Sequence, residues 1–243
     1  MVVDQDLCIG CGKCVPYCPV RAISIVQKKA VIDQEICVEC GTCGRKNNFV
    51  KCPGNALHER EDVTRHPRSI RKFFSDPMAT HVETKVPGRG TEEVKTNDVT
   101  GRVDKKHYGI AIEMGRPSVA ASYQDVEKMT MALSKFHIVH EPCNPIKYLF
   151  EDEKKGTLTR EALEQRVIST IIEFNIEKDQ LEEVLEAILE TGKTLDTVFS
   201  LDLIARFDTP DAMPDIPVLA RLGLEPRPNS KINLGLGKPL KEE

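Results

Sequence analysis

Eight of the nine cysteines lie in the first 52 residues, in two runs: Cys8, Cys11, Cys14 and Cys18, then Cys37, Cys40, Cys43 and Cys52. Only Cys143 stands apart from them. Thiolates at close spacing do one of two things: they pair as disulfides or they ligate soft metals. The chain opens Met1-Val2-Val3-Asp4 and reaches its first cysteine at position 8, which leaves no room for a signal peptide. The expectation is therefore a cytoplasmic, reducing setting in which these thiols hold metal.

The spacing narrows the metal chemistry. The first run reads Cys8-Ile9-Gly10-Cys11-Gly12-Lys13-Cys14-Val15-Pro16-Tyr17-Cys18-Pro19, a C-x2-C-x2-C-x3-C-P pattern. Two-residue gaps let three thiolates converge from a tight loop on three corners of a cubane, and Gly10 and Gly12 permit the close turns. The fourth cysteine points away, and Pro19 fixes its own φ and redirects the chain. A second copy starts at Cys37-Val38-Glu39-Cys40-Gly41-Thr42-Cys43 and closes at Cys52-Pro53. The stretch from Gly44 to Lys51 is longer than the gap in the first copy, which predicts a loop or an extra turn there. The flanks repeat as well: Val2-Val3-Asp4 matches Val31-Ile32-Asp33, and Arg21-Ala22-Ile23 matches Asn55-Ala56-Leu57. This is an internal repeat, each half a short strand, a ligand loop, a brief helix ending at Cys-Pro and a second strand, Ile23 to Gln27 in the first half. Paired C-x2-C elements also build zinc ribbons, but a four-thiolate zinc site leaves the third cysteine of each triplet and the Cys-Pro without a role. The C-x3-C-x2-C triplet of a radical S-adenosylmethionine site is absent, since Arg21 stands where its last cysteine belongs.

On these motifs residues 1–60 resemble the bacterial two-cluster ferredoxin family. The resemblance implies two [4Fe–4S] clusters, one held by Cys8, Cys11, Cys14 and Cys52, the other by Cys37, Cys40, Cys43 and Cys18, so that the fourth ligand of each crosses to the other half. It also implies one-electron transfer, with the clusters as stepping stones between a donor and an acceptor.

The remaining chain must position that module. Residues 61–106 read as a linker or docking segment with at most one helix, Pro67 to Phe74, whose Phe73-Phe74 pair needs a packing partner. Its glycine-rich stretches, Pro87 to Glu93 and Thr96 to Arg102, contain no G-x4-G-K-[ST] phosphate loop. A loop of this length is functional or disordered, and Arg89, Lys95 and Arg102 read first as solvated charges. From 107 to 208 regular periodicity returns: strand Tyr108 to Met114, helix Tyr123 to Phe136, strand His137 to His140, strand Val167 to Ile176, helix Glu177 to Thr191, and an alternating strand from Thr197 to Phe207. Leu181, Val184, Leu185, Ile188 and Leu189 share one helical face. The fold class is α+β: a two-cluster module, a linker, then a βαββαβ ferredoxin-like sandwich with an added hairpin at Tyr148 to Leu158. The sandwich is weakly similar to ACT domains, on element order alone. Residues 209–243 are Pro-rich and read as an extended tail that wraps a partner, with Ile232 to Gly237 its most apolar part.

No second chemistry stands out. Gly115-Arg116-Pro117 precedes a helix and could meet an anion, although most such turns only redirect the chain. Cys143 is a lone thiol in a turn. His107, His137 and His140 lack metal-ligand spacing, and no nucleophile, base and orienter form a set. A net charge of -4 and few aromatics argue against nucleic acid, and no apolar run is long enough to span a bilayer. The expected function is electron transfer as a subunit of a multi-subunit oxidoreductase from an anaerobe. Its partners are then a catalytic subunit and a redox donor or acceptor in a hetero-oligomer, and catalysis within this chain stays open. The alternative is a redox or metabolite sensor that uses the C-terminal domain to bind a ligand.

Overall fold

The computed structural model describes residues 1–44, 50–87, 103–117, 119–136, 138–207 and 214–228. His137, most of the loop between Cys43 and Cys52, both glycine-rich stretches of the connector and the tail segment Ile232 to Gly237 lie outside them.

The first 60 residues form a small module around two pairs of strands. β1 (Val2–Val3) pairs antiparallel with β4 (Leu57–His58), joining the two ends of the module, and β2 (Ile23–Val26) pairs with β3 (Lys29–Ile32) in a hairpin. The two hairpin turn residues, Gln27 and Lys28, both have positive φ, 49° and 62°, as a type I′ turn requires. The module's core is thin, with Met1, Ala22, Ile23, Ala30, Ala56 and Leu57 packed among the cysteines. A core this small needs further cross-links.

The second domain is built on a four-stranded antiparallel sheet of β5 (His107–Met114), β7 (Val139–His140), β11 (Thr170–Glu177) and β12 (Phe199–Ile204), in spatial order β12-β5-β11-β7. Helix α2 (Tyr123–Leu133) follows the first of these strands, and α4 (Leu181–Gly192) joins the last two. Along the strands, Ile110, Ile112 and Met114 and then Ile172, Phe174 and Ile176 alternate toward the helices, where Val126, Met129, Val184 and Ile188 complete the core. Phe199, Leu201 and Leu203 pack on the same side. Smaller elements close the edges: β8 (Phe150–Asp152) pairs with β9 (Thr157–Leu158) as the added hairpin, and β6 (Ala121–Ser122) pairs with β10 (Arg166–Val167). The strand expected as one piece from Val167 to Ile176 is thus two. Its first residues join β10, and the chain breaks at Ile168 and Ser169 before β11 begins. Short helices α3 (Arg160–Leu163) and α5 (Pro217–Arg221) complete the described chain.

Between the two units stands α1 (Arg68–Ser75), the helix expected in the connector. It is no isolated linker helix. Ile70 and Phe74 enter the core of the second domain, where Phe74 meets Tyr123 edge-on at 5.8 Å, and the Ser75 hydroxyl accepts the Ile168 N–H at 2.9 Å. Its other face carries Arg68 and Arg71 one turn apart, and both reach into the cysteine module.

Candidate metal centre

The two cysteine runs fold into copies of one backbone frame. Asp4 Oδ1 accepts the N–H groups of Asp6 and Leu7 at 2.9 and 3.2 Å, and Asp33 Oδ1 accepts those of Glu35 and Ile36 at the same distances. The Cys8 N–H donates to Asp4 O at 3.0 Å and the Cys37 N–H to Asp33 O at 2.9 Å. At each Cys-Pro, a backbone N–H four residues on donates to sulfur: Ala22 to Cys18 Sγ at 3.2 Å and Ala56 to Cys52 Sγ at 3.4 Å. Arg21 and Asn55, which follow the two Cys-Pro pairs at equal distance, adopt φ of 55° and 56°. Asp4 N donates to Ala56 O and Asp33 N to Ala22 O, so each half is latched by the other.

The frames gather the thiols into two sets of four. Cys8, Cys11, Cys14 and Cys52 line one cavity, and Cys18, Cys37, Cys40 and Cys43 line another. Each set therefore takes three sulfurs from one run and one from the other. Among the described residues no three His, Cys, Asp or Glu side chains are gathered as a site for a single ion. Glycines make the first wall possible: Gly10 has φ 68°, and a Cβ there would stand 2.0 Å from the carbonyl oxygen of Lys28 in the hairpin turn.

The electrostatics fit a cationic core of metal. Burial, and after it the neighbouring thiols Cys40, Cys37 and Cys18, push Cys43 up to about 12. Burial likewise raises Cys14, with Cys11, Cys52 and Cys8 as its crowding neighbours. Four sulfurs around one cavity cannot all ionise unless positive charge sits among them, and iron held there would supply that charge. Cys8 runs the other way, lowered by the N–H groups of Ala30 and Gly10, the kind of donor a thiolate ligand needs.

The two sites differ in what covers them. Ile9 is 67 % exposed and Cys11 is exposed, whereas their counterparts in the repeat, Val38 and Cys40, are 1 % exposed and half-buried. The position of Gly10 is taken in the second copy by Glu39, at φ 57° and 1 % exposed. The Glu39 carboxylate accepts from the Met1 ammonium and from Arg68 Nε at 2.8 Å. Although burial raises it, these two cations outweigh burial and hold Glu39 below the ordinary carboxylate range.

The 4Fe–4S binding domain family matches residues 1–24. The amino-terminal segment is of the ferredoxin type. A curated relative, Ferredoxin-2 of Desulfomicrobium norvegicum (strain DSM 1741 / NCIMB 8310), is 52% identical over 31 residues, which are 13% of this chain and 52% of the relative. The chain thus spans about half the length of that relative. No solved structure matches the chain. Beside the ferredoxin-type segment, the matches leave the remainder of the chain without a relative, and its mixed α/β architecture rests on the structure itself. No helix among the described residues is long and apolar enough to cross a membrane.

The other described residues singled out in the sequence do not join the site. Arg116 is paired with Glu113 at 2.8 Å, so its guanidinium faces a carboxylate and not an anion-binding turn. Cys143 is exposed in its turn, His107 pairs with Asp104, and His140 pairs with Glu153. Sequence reasoning missed Glu39, Arg68 and Arg71. For Glu39 a signal existed, a carboxylate at the place where the first copy has glycine; for the arginines none did, since they lie outside the repeat.

Proposed function

We propose that the chain binds two [4Fe–4S] clusters, one on Cys8, Cys11, Cys14 and Cys52 and one on Cys18, Cys37, Cys40 and Cys43, and passes single electrons through them. One observation carries this reading: eight thiols stand in two fours around two cavities, each backed by the same hydrogen-bonded frame. When bound, each cluster accepts or releases one electron. The chain contributes the thiolates and the N–H donors to sulfur. The exposed rim of Ile9 and Cys11, with Lys13 and Lys28 also exposed beside it, suits an acidic redox partner docking at the first site.

In this reading the protein is a ferredoxin-like subunit of a multi-subunit, cytoplasmic oxidoreductase of an anaerobe. The second domain, ferredoxin-like in its β-α-β-β-α-β order and ACT-like in that order alone, attaches the module to a catalytic subunit. The test is anaerobic purification with metal analysis, electron paramagnetic resonance and identification of copurifying chains. Two [4Fe–4S] clusters give about eight irons per chain and coupled signals on reduction. Zinc in place of iron would sink the proposal, and about four irons would reduce it to one cluster. Eight irons without a copurifying chain would remove the subunit assignment alone.

A further inference from the structure

Each half of the module has a cation bonded to the backbone of its ligand loop, and the two cations come from different places. In the first half, Lys29 Nζ donates to Gln5 O at 2.7 Å and to Cys8 O at 2.6 Å. At the equivalent positions of the second half, Arg71 Nη1 donates to Gln34 O at 2.9 Å and to Cys37 O at 2.8 Å, and also to Glu35 O. Lys29 belongs to the module and is half-buried. Arg71 belongs to α1 and is 4 % exposed, and its Nε is held by Gln165 Oε1 of the second domain at 2.7 Å. Among the described residues it makes no ion pair: its N–H groups end on carbonyl and amide oxygens, with Arg68 acting on it as a like charge and Glu35, Cys37 and Glu39 as opposite ones.

We propose, resting on the two-cluster reading, that Arg71 is a positioning residue that raises the reduction potential of the second cluster, and that the second domain keeps it there through Gln165. Reduction adds one negative charge to a cluster, and net charge and hydrogen bonding near the ligands set its potential. A fixed cation in a water-poor setting favours the reduced form, far more than the same charge would in contact with solvent. Arg71 thereby offsets the penalty that burial places on the extra negative charge of the second cluster. Lys29 exerts the same effect on the first, weakened by water and salt. The second domain is then part of the redox centre, because it holds the Nε side of that cation through Gln165.

The test uses the full chain loaded with eight irons, reduced stepwise at fixed potentials with a low-potential reductant and followed by electron paramagnetic resonance. Arg71→Gln is expected to move one of the two reduction steps down, lowering the reduced-to-oxidised ratio at a fixed potential at least tenfold, about 59 mV for one electron. Arg71→Lys, which keeps the charge, recovers most of that shift. Lys29→Gln moves the other step, by less, and its shift shrinks as salt is added. Gln165→Leu moves the same step as Arg71→Gln, in the same direction and by less. Unchanged steps in Arg71→Gln, or an equal shift in Arg71→Lys, overturn the proposal. If Arg71→Gln fails to hold eight irons, Gln165→Leu decides on the same readout, an unmoved step counting against it. An iron count below eight in the unaltered chain instead removes the two-cluster reading.

Discussion

The two halves of the cysteine module share a backbone and differ in surroundings. Asp4 and Asp33 hold the same pair of N–H groups, and the sulfurs of Cys18 and Cys52 receive the same donor four residues on. Yet the loop of the first copy is turned to solvent at Ile9, while that of the second lies under α1 with Val38 and Glu39 buried. A duplicated ligand frame thus fixes where the sulfurs stand, and the elements packed against it decide charge, dielectric and access. In an electron carrier those are the quantities that set potential and choose the port.

The comparison can be broken most severely at the crossover. Cys18 lies in the first run and faces the second cavity, so Cys18→Ala is expected to empty the second site and spare the first, leaving about half of the iron. Loss of the first site's signal instead would show that each run holds its own cluster. Next in size is the contrast between equivalent positions: Val38→Asp buries a charge without a partner and is expected to cost several kcal/mol, about 3 or more. Ile9→Asp changes stability by no more than about 0.5 kcal/mol and instead slows electron exchange with an acidic partner, read in stopped-flow reduction.

The comparison sharpens further at Glu39. Glu39→Gly restores the residue of the first copy and relieves a left-handed backbone, worth about 1 kcal/mol. It also strips the Met1 ammonium and Arg68 of their counter-charge, which costs about 3–5 kcal/mol. The net result at neutral pH is a loss of stability in anaerobic chemical unfolding. The pH dependence has a definite sign. The folded carboxyl sits below its ordinary value of 4.5, so its contribution is fully present above 4.5 and is lost as pH falls through the depressed folded value. The difference between parent and variant should therefore shrink in acid; a constant gap would show that Glu39 acts through backbone shape and not charge.

Much of this architecture was legible before any coordinates. Cysteine spacing and the matched flanks located two ligand loops, and helical and alternating periods located α2, α4 and the long strands, because local spacing reports which side chains share a face. The break at Ile168 and Ser169 was not legible, since a run of apolar and β-branched residues looks continuous until its two ends pair with different strands, β6 and β5. The connector helix was expected, but its task was not. Nothing in the sequence singled out Arg68 and Arg71, and only the packing of Ile70 and Phe74 into the second domain turns them onto the module.

The sequence by itself determined which cysteines stand close enough to act together, that they come in a repeat, and that an α+β domain follows, because those properties reside in neighbours a few positions apart. Tertiary structure alone decided which of the two sites meets solvent, and that a guanidinium 34 positions from Cys37 bonds its carbonyl. Such contacts join residues distant in the chain, and their energies depend on burial, which no local pattern encodes.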